Sequence, residues 1–255
     1  MMTIKFTHQP VPLSQDEFHK IDYQVTGQAF DLHNEMGNLW NEDEYRQQLA
    51  LRCAAIGLEV FEETCISVSH NGFRKNYFLD LLINGGIYEL KAVSAIAKNH
   101  EAQTLNYLFI ANTQHGKIIN FRPDSLKWHF ISTSLTLADR AMYSLKKSAW
   151  NPSTRSALDL PTLLKELLDD WGAYLSTNLY KEALCHFLGL HLENEHQRFV
   201  PLSEDTVIHF SSLSSQKNNL HNNLQKYLNR SRFDELLWIN CDQAQIELSC
   251  LHHSA

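Results

Sequence analysis

An α/β fold, built as one sheet-containing unit followed by a smaller and degraded copy of it, is predicted by three observations. Apolar spacing changes from helical to alternating and back within the first half of the 255-residue chain. Three alternating runs are joined by turn-forming residues. A gap-free slide of 120 positions lays the end of the second half on the middle of the first. Residues 22–37 place Val25, Ala29, Phe30, Leu32 and Met36 on one helical stripe, and residues 45–56 repeat the pattern after the charged turn NEDE. The period then becomes two. Leu58 and Val60 lead into 65–69, HNG turns the chain into 77–83, and Asn84-Gly85-Gly86 turns it into 87–93, which reads as a three-stranded antiparallel meander. Residues 100–111 return to helix, 118–121 form a strand, and Leu126, Trp128 and Phe130 alternate as a further one.

Residues 136–159 are polar and contain Pro152, so they are expected to link a domain at 1–135 to a second at 160–255. The second reads as helices at 160–174 and 179–190, short strands around 199–210, a helix at 217–228, and strands near 236–240 and 246–251. At the 120-residue offset, Ser94, Asn99, Tyr107, Leu108, Ile119 and Asn120 fall on Ser214, Asn219, Tyr227, Leu228, Ile239 and Asn240. Tyr45-Arg46 has a counterpart in Tyr180-Lys181.

Composition bounds the function. The hydrophobic fraction of 44% with 20% charged residues excludes disorder and coiled coil. No apolar run approaches the roughly 20 residues of a membrane span, and MMTIKFTHQP has no signal-peptide core, so a soluble, cytoplasmic protein is expected. Net charge is −7, divided as 11 basic against 15 acidic residues through position 135 and 11 against 14 beyond. Neither half carries the positive surface of a protein that coats nucleic acid by phosphate neutralisation. Five cysteines without a CxxC pair read as buried thiols, and the fourteen histidines form no HExxH or HxH spacing, with His252-His253 placed in a tail.

The residues that suggest chemistry are Asp80 and the tripeptide Glu89-Leu90-Lys91. They lie on two strands joined by a tight turn, and a two-residue turn puts Asp80 opposite either Lys91 or Glu89, according to which pair of residues forms it. Either register places all three charged side chains on one face and sends Leu79, Leu81, Leu90 and Ala92 to the other. Two carboxylates and an amine on a half-buried face are costly unless compensated, and a hard divalent cation with oxygen ligands compensates them, which predicts a magnesium site. A solvated ion pair is the bland alternative, and ExK alone is a frequent tripeptide.

The wider pattern resembles the PD-(D/E)XK nuclease superfamily, and in particular the bacterial GxxExxY protein family. It runs through Gly37, Glu42 and Tyr45 in GNLWNEDEY, Asp80 in FLDLLI, Glu89-Leu90-Lys91-Ala92-Val93, Gln103 and Tyr107 in HEAQTLNYL, then Gly116 and Ile119-Asn120-Phe121. It spans about residues 22–132. The position three before Glu42 holds Leu39 where that family's motif has glycine. The resemblance implies a restriction-endonuclease-like mixed sheet flanked by helices. It implies Asp80, Glu89 and the carbonyl of Leu90 as ligands of Mg²⁺, with Mn²⁺ as a substitute. Lys91 would position or activate the attacking water, Glu42 would be a further ligand or a water-orienting base, and Gln103 and Tyr107 would orient the lysine or touch the scissile phosphate. Helix capping by Glu42 and core packing by Tyr107 are the plain alternatives.

Two functions follow as expectations. The first is a Mg²⁺-dependent nuclease hydrolysing phosphodiester bonds of DNA or RNA, acting as a monomer or homodimer. The second is a non-catalytic interaction module of the same fold in a defence or repair assembly. In the second copy, Glu89, Lys91 and Gln103 fall on His209, Ser211 and Asn223, and the 29 residues from Tyr180 to His209 leave no room for the Asp-bearing hairpin. That domain is expected to lack the catalytic residues.

Overall fold

The computed structural model describes residues 1–253, less the side chains of residues 148, 155 and 156. The chain divides into two compact units, Met1–Thr136 and Leu137–Ala255. The first comprises β1 (Thr3–Phe6), α1 (Gln15–Met36), α2 (Glu42–Ala55), β2 (Val60–His70), β3 (Phe73–Ile83), β4 (Gly86–Lys91), α3 (Lys98–Ala111), β5 (His115–Asn120) and β6 (Lys127–Ser132). Its six strands form one mixed sheet in chain order. All neighbouring pairs are antiparallel except β4 and β5, which run parallel through the crossover helix α3. The meander read at 58–93 is therefore present.

Local chemistry sets the helix ends. Ser14 caps α1 by accepting from the Glu17 amide at 3.3 Å while Glu17 accepts from the Ser14 amide at 2.9 Å. This reciprocal box starts the helix seven residues before the expected position. Gly37, with φ 72°, ends it. Asn41 and Glu44 form the same box at α2. Phe18, Val25, Ala29 and Leu32 of α1 and Tyr45, Leu49 and Cys53 of α2 pack on Leu81, Ile83, Tyr88, Leu90, Ile119 and Phe121 from one sheet face. Beneath α1, Lys117 is buried with its ammonium 2.9 Å from Asp22 and 2.6 Å from the Thr26 hydroxyl. The rings of Trp128 and Phe130 lie 5.0 and 4.5 Å from that ammonium.

The second unit comprises α4 (Leu137–Arg140), β7 (Ser144–Ala149), α5 (Arg155–Trp171), α6 (Thr177–Phe187), β8 (Phe199–Pro201), β9 (Thr206–Ser211), α7 (Lys217–Leu228), β10 (Glu235–Asp242) and β11 (Gln245–His252). Its five-stranded sheet has the order β7-β11-β10-β9-β8. Two expectations need correction. Residues 136–159 are not a linker: β7 lies within them and pairs in parallel with β11 as an edge strand of this sheet. Its sequence, SLKKSA, is the polar and lysine-bearing kind that edges use, so it gave no alternating signal. His252 is not tail either, since it closes β11 opposite Glu235.

Within each unit the same strand path occurs. β8-β9-α7-β10-β11 repeats the order and directions of β3-β4-α3-β5-β6. Two side-chain clips recur as well. The Tyr45 hydroxyl donates to the Gly37 carbonyl, and that of Tyr180 to the Gly172 carbonyl. Asn120 accepts from the Val93 amide at 3.0 Å and donates to its carbonyl at 2.7 Å. Asn240 does the same to Leu213, at 2.8 and 2.9 Å, and the two pairs are related by the 120-residue offset.

Candidate metal-dependent active site

The hairpin between β3 and β4 turns on Asn84-Gly85, with φ 45° and 83°. Positive φ at both positions is the twist-matched two-residue hairpin that Asn-Gly favours. Ile83 then pairs with Gly86 and Leu81 with Tyr88, which selects the register that sets Asp80 against Glu89. The ladder stops at Leu81. One residue further on, the Asp80 carboxylate accepts the Leu90 amide at 2.7 Å, so a side chain takes over the backbone pairing as the strands part.

Four oxygens converge on the Lys91 ammonium. They are Leu90 O at 2.6 Å, Glu89 Oε1 at 3.0 Å, Glu42 Oε1 at 3.1 Å and Asp80 Oδ2 at 3.8 Å. Glu42 stands at the first position of α2. Because Glu44 performs the capping there, Glu42 is free to reach Lys91. Gln103 donates to the Tyr107 hydroxyl at 2.8 Å across one turn of α3, and the Tyr107 ring packs edge-on to Tyr77. Tyr107 is buried and senses the charges of Glu89 and Asp80, whereas Gln103 is exposed. All six predicted side chains are thereby placed: Glu42, Asp80 and Glu89 meet at Lys91, and Gln103 and Tyr107 pair beside them.

The electrostatics are those of acids held too close together in too little water. Burial, then the neighbouring Asp80 charge, pushes the Glu89 carboxyl up to about 8 against the pull of Lys91. Asp80 is raised as well, chiefly by burial, while Lys91 and the Leu90 amide act the other way. Burial alone would lower Lys91, yet Glu89, Asp80 and Glu42 together hold it above its ordinary value. Glu89 is 2% exposed, and its second oxygen, Oε2, has no hydrogen-bond partner. A buried carboxylate oxygen without a partner is a costly feature that a cation ligand position explains. The residues present therefore suit an oxygen-liganded divalent ion.

Two supporting residues escape a reading of charge spacing. Asn120, fully buried, holds the exit of β4 through Val93 and also accepts from the Arg122 amide at 3.3 Å. Arg122 donates to the carbonyls of Ala92, Asn38 and Trp40 at 3.2, 2.9 and 3.2 Å, tying the loop before Glu42 to the end of the lysine strand. The sequence signal for both is Ile119-Asn120-Phe121-Arg122 directly after a strand, where polar residues have backbone to satisfy. A shallow cavity of about 560 Å³ beside α1, lined by Asp16, His19, Lys20, Tyr23 and Gln24, contains none of Glu42, Asp80 and Glu89.

At the corresponding places of the second unit, the Nδ1 of the buried His209 bonds the Arg198 carbonyl and the Ser211 hydroxyl donates to Asn240. Only the three-residue β8 stands where β3 would be. The acid–lysine arrangement is not repeated at those positions.

Residues 19–131, somewhat under half of the chain, match the family model of the PD-(D/E)XK nuclease superfamily, and the mixed sheet flanked by helices is consistent with that fold. That segment contains all the site residues. A search of the curated proteins returned no match.

Proposed function

We propose that the first unit is a Mg²⁺-dependent nuclease, with Mn²⁺ as a substitute, that hydrolyses phosphodiester bonds of DNA or RNA at Asp80, Glu89 and Lys91. The observation that carries this reading is the gathering of Glu42, Asp80, Glu89 and the Leu90 carbonyl around one ammonium, with a buried Glu89 oxygen left over. Asp80, Glu89 and the Leu90 carbonyl would hold the ion. When bound, it supplies positive charge for the phosphorane-like transition state and a more acidic water.

The remaining work falls to the chain. Lys91, held protonated by its three acids, moves from those oxygens toward the phosphate, where its three donors stabilise developing charge and orient the nucleophilic water. Glu42, partly exposed at the rim, accepts a proton from that water. The Gln103–Tyr107 pair limits where the lysine can swing. Closer kinship with the GxxExxY family is part of the proposal and rests on Glu42, Tyr45 and the Gly37 carbonyl that the Tyr45 hydroxyl reaches at 2.8 Å.

One observation favours the non-catalytic alternative. Lys91 already pairs with Glu42 and Glu89, and such a charge cluster can serve as a fixed structural knot. The deciding test is incubation of the purified chain with supercoiled, linear and single-stranded DNA and with RNA, in Mg²⁺ or Mn²⁺. The nuclease reading expects cleavage of at least one substrate, lowered about a hundredfold or more by Asp80→Ala and by Lys91→Ala. Equal cleavage by parent and variants would mark a contaminating nuclease, and no cleavage by any favours the module.

A further inference from the structure

In the second unit, three metal-ligating side chains of different kinds meet away from the site described above. Glu235 opens β10 and pairs directly with His252 of β11, and Cys250 lies two residues before His252 on the same strand face. Period-two alternation sends Cys250 and His252 to one side, and the antiparallel register brings Glu235 across to them. One ligand atom from each lies within 4.8 Å of the other two. The Cys250 sulfur is 3.4 Å from Glu235 Oε1 and 3.4 Å from His252 Nε2, and His252 Nδ1 is 4.0 Å from Glu235 Oε1.

Those separations can be compared with what an ion demands. Zinc–sulfur bonds near 2.3 Å and zinc–nitrogen or zinc–oxygen bonds near 2.0 Å at tetrahedral angles set neighbouring ligand atoms about 3.5 Å apart. Both sulfur distances agree with this value, which makes Nε2 the His252 ligand atom, while the 4.0 Å from Nδ1 to Glu235 Oε1 shows only how near the ring stands to the carboxylate. The shell around the ligands is also that of a fixed site. The Ser153 amide donates to Glu235 Oε1 at 2.7 Å, and the Thr206 hydroxyl to Oε2 at 3.2 Å. Such bonds fix the orientation of ligands before an ion arrives. Glu235 and Cys250 are buried, while the His252 side chain is 45% exposed and gives the ion a path from solvent.

We infer that Glu235, Cys250 and His252 form a Zn²⁺ site with one coordination position open to solvent, fastening the end of β11 to the start of β10. The thiolate and imidazole select a borderline-soft ion over Mg²⁺, so this site is chemically distinct from the oxygen cluster of the first unit. It stands whether or not the nuclease reading holds.

The test uses the full chain, stripped with chelator and dialysed against Zn²⁺, with bound metal counted by plasma mass spectrometry, and against Co²⁺, with the absorption spectrum recorded. One zinc per chain and a thiolate-to-cobalt charge-transfer band are expected in the parent and in Asp80→Asn, which disables the other site. Both signals should be lost in His252→Ala and in Cys250→Ser. Because His252 is half-exposed, His252→Ala should keep the parent circular dichroism and report on ligation alone. Absence of zinc from the folded parent, or binding unchanged in both ligand variants, would overturn the inference.

Discussion

Replacing Glu89 by glutamine should stabilise the metal-free protein, and increasingly so as pH rises. Glu89 is 2% exposed and its carboxyl is pushed up from 4.5 to about 8, first by burial and then by Asp80. The folded state therefore binds this proton more tightly than the unfolded chain does. Stability contributed by the protonated form is fully present below about pH 4.5 and is lost as pH climbs through about 8. At 1.36 kcal/mol per unit, the unfolded chain's release of this proton while the fold retains it costs the parent about 2 kcal/mol of stability by pH 6 and about 4 kcal/mol by pH 8. Glutamine keeps the shape and has no such cost, so its advantage over the parent should grow by about 2 kcal/mol between those two pH values. Amide hydrogen exchange of the β4 backbone, read by mass spectrometry in chelator and corrected for intrinsic rates, isolates the first unit. Saturating Mg²⁺ should reverse the order by stabilising the parent alone. A parent-to-variant difference that stays constant across that range would refute the electrostatic account of the cluster.

Other outcomes follow from the same geometry. Gly85→Ala should destabilise the first unit by about 2–3 kcal/mol, combining a left-handed φ of 83° with a new Cβ only 2.6 Å from that of Val11, and a urea midpoint shift checks it. Asn120→Ala strips partners from both the Val93 amide and its carbonyl and should cost about 2–3 kcal/mol. Asn240→Ala should cost the second unit a similar amount through Leu213, which exchange in β9 and β10 would report. As pH falls below the ordinary histidine value, His209, lowered by burial, should resist protonation and draw stability out of the second unit, and His209→Gln should flatten that acid-side loss in a thermal melt.

Much of this architecture is legible in residue order because long, strongly periodic segments announce themselves. The meander, the helix at 217–228 and the facing of Asp80, Glu89 and Lys91 all follow from period and turn chemistry. The hairpin register stays open between two choices in the sequence. It is decided by which residues tolerate positive φ, and Asn84-Gly85 does so with Val11 packed over it. What escapes the reading is short, polar or long-range. β1 is an edge strand of four residues, too short for its alternation to stand out, and β7 is an edge strand of six with little alternation to show. The early start of α1 lies in a serine–glutamate box rather than in apolar spacing. The Lys117–Asp22 pair joins residues 95 apart in the chain, and no local pattern reports it. The Glu235–Cys250–His252 group is hidden for the same reason, since a cross-strand ligand set has no fixed spacing in sequence.

Asp80 and Glu89 are proposed to share one hard cation. Titration of the metal-free chain with Mn²⁺, followed by electron paramagnetic resonance, tests it most directly. One Mn²⁺ should bind per chain in competition with Mg²⁺, and both Asp80→Asn and Glu89→Gln should abolish it while His252→Ala does not. Undiminished Mn²⁺ binding in the two acid variants, or no binding by the folded parent, would rule out a shared ion at these carboxylates.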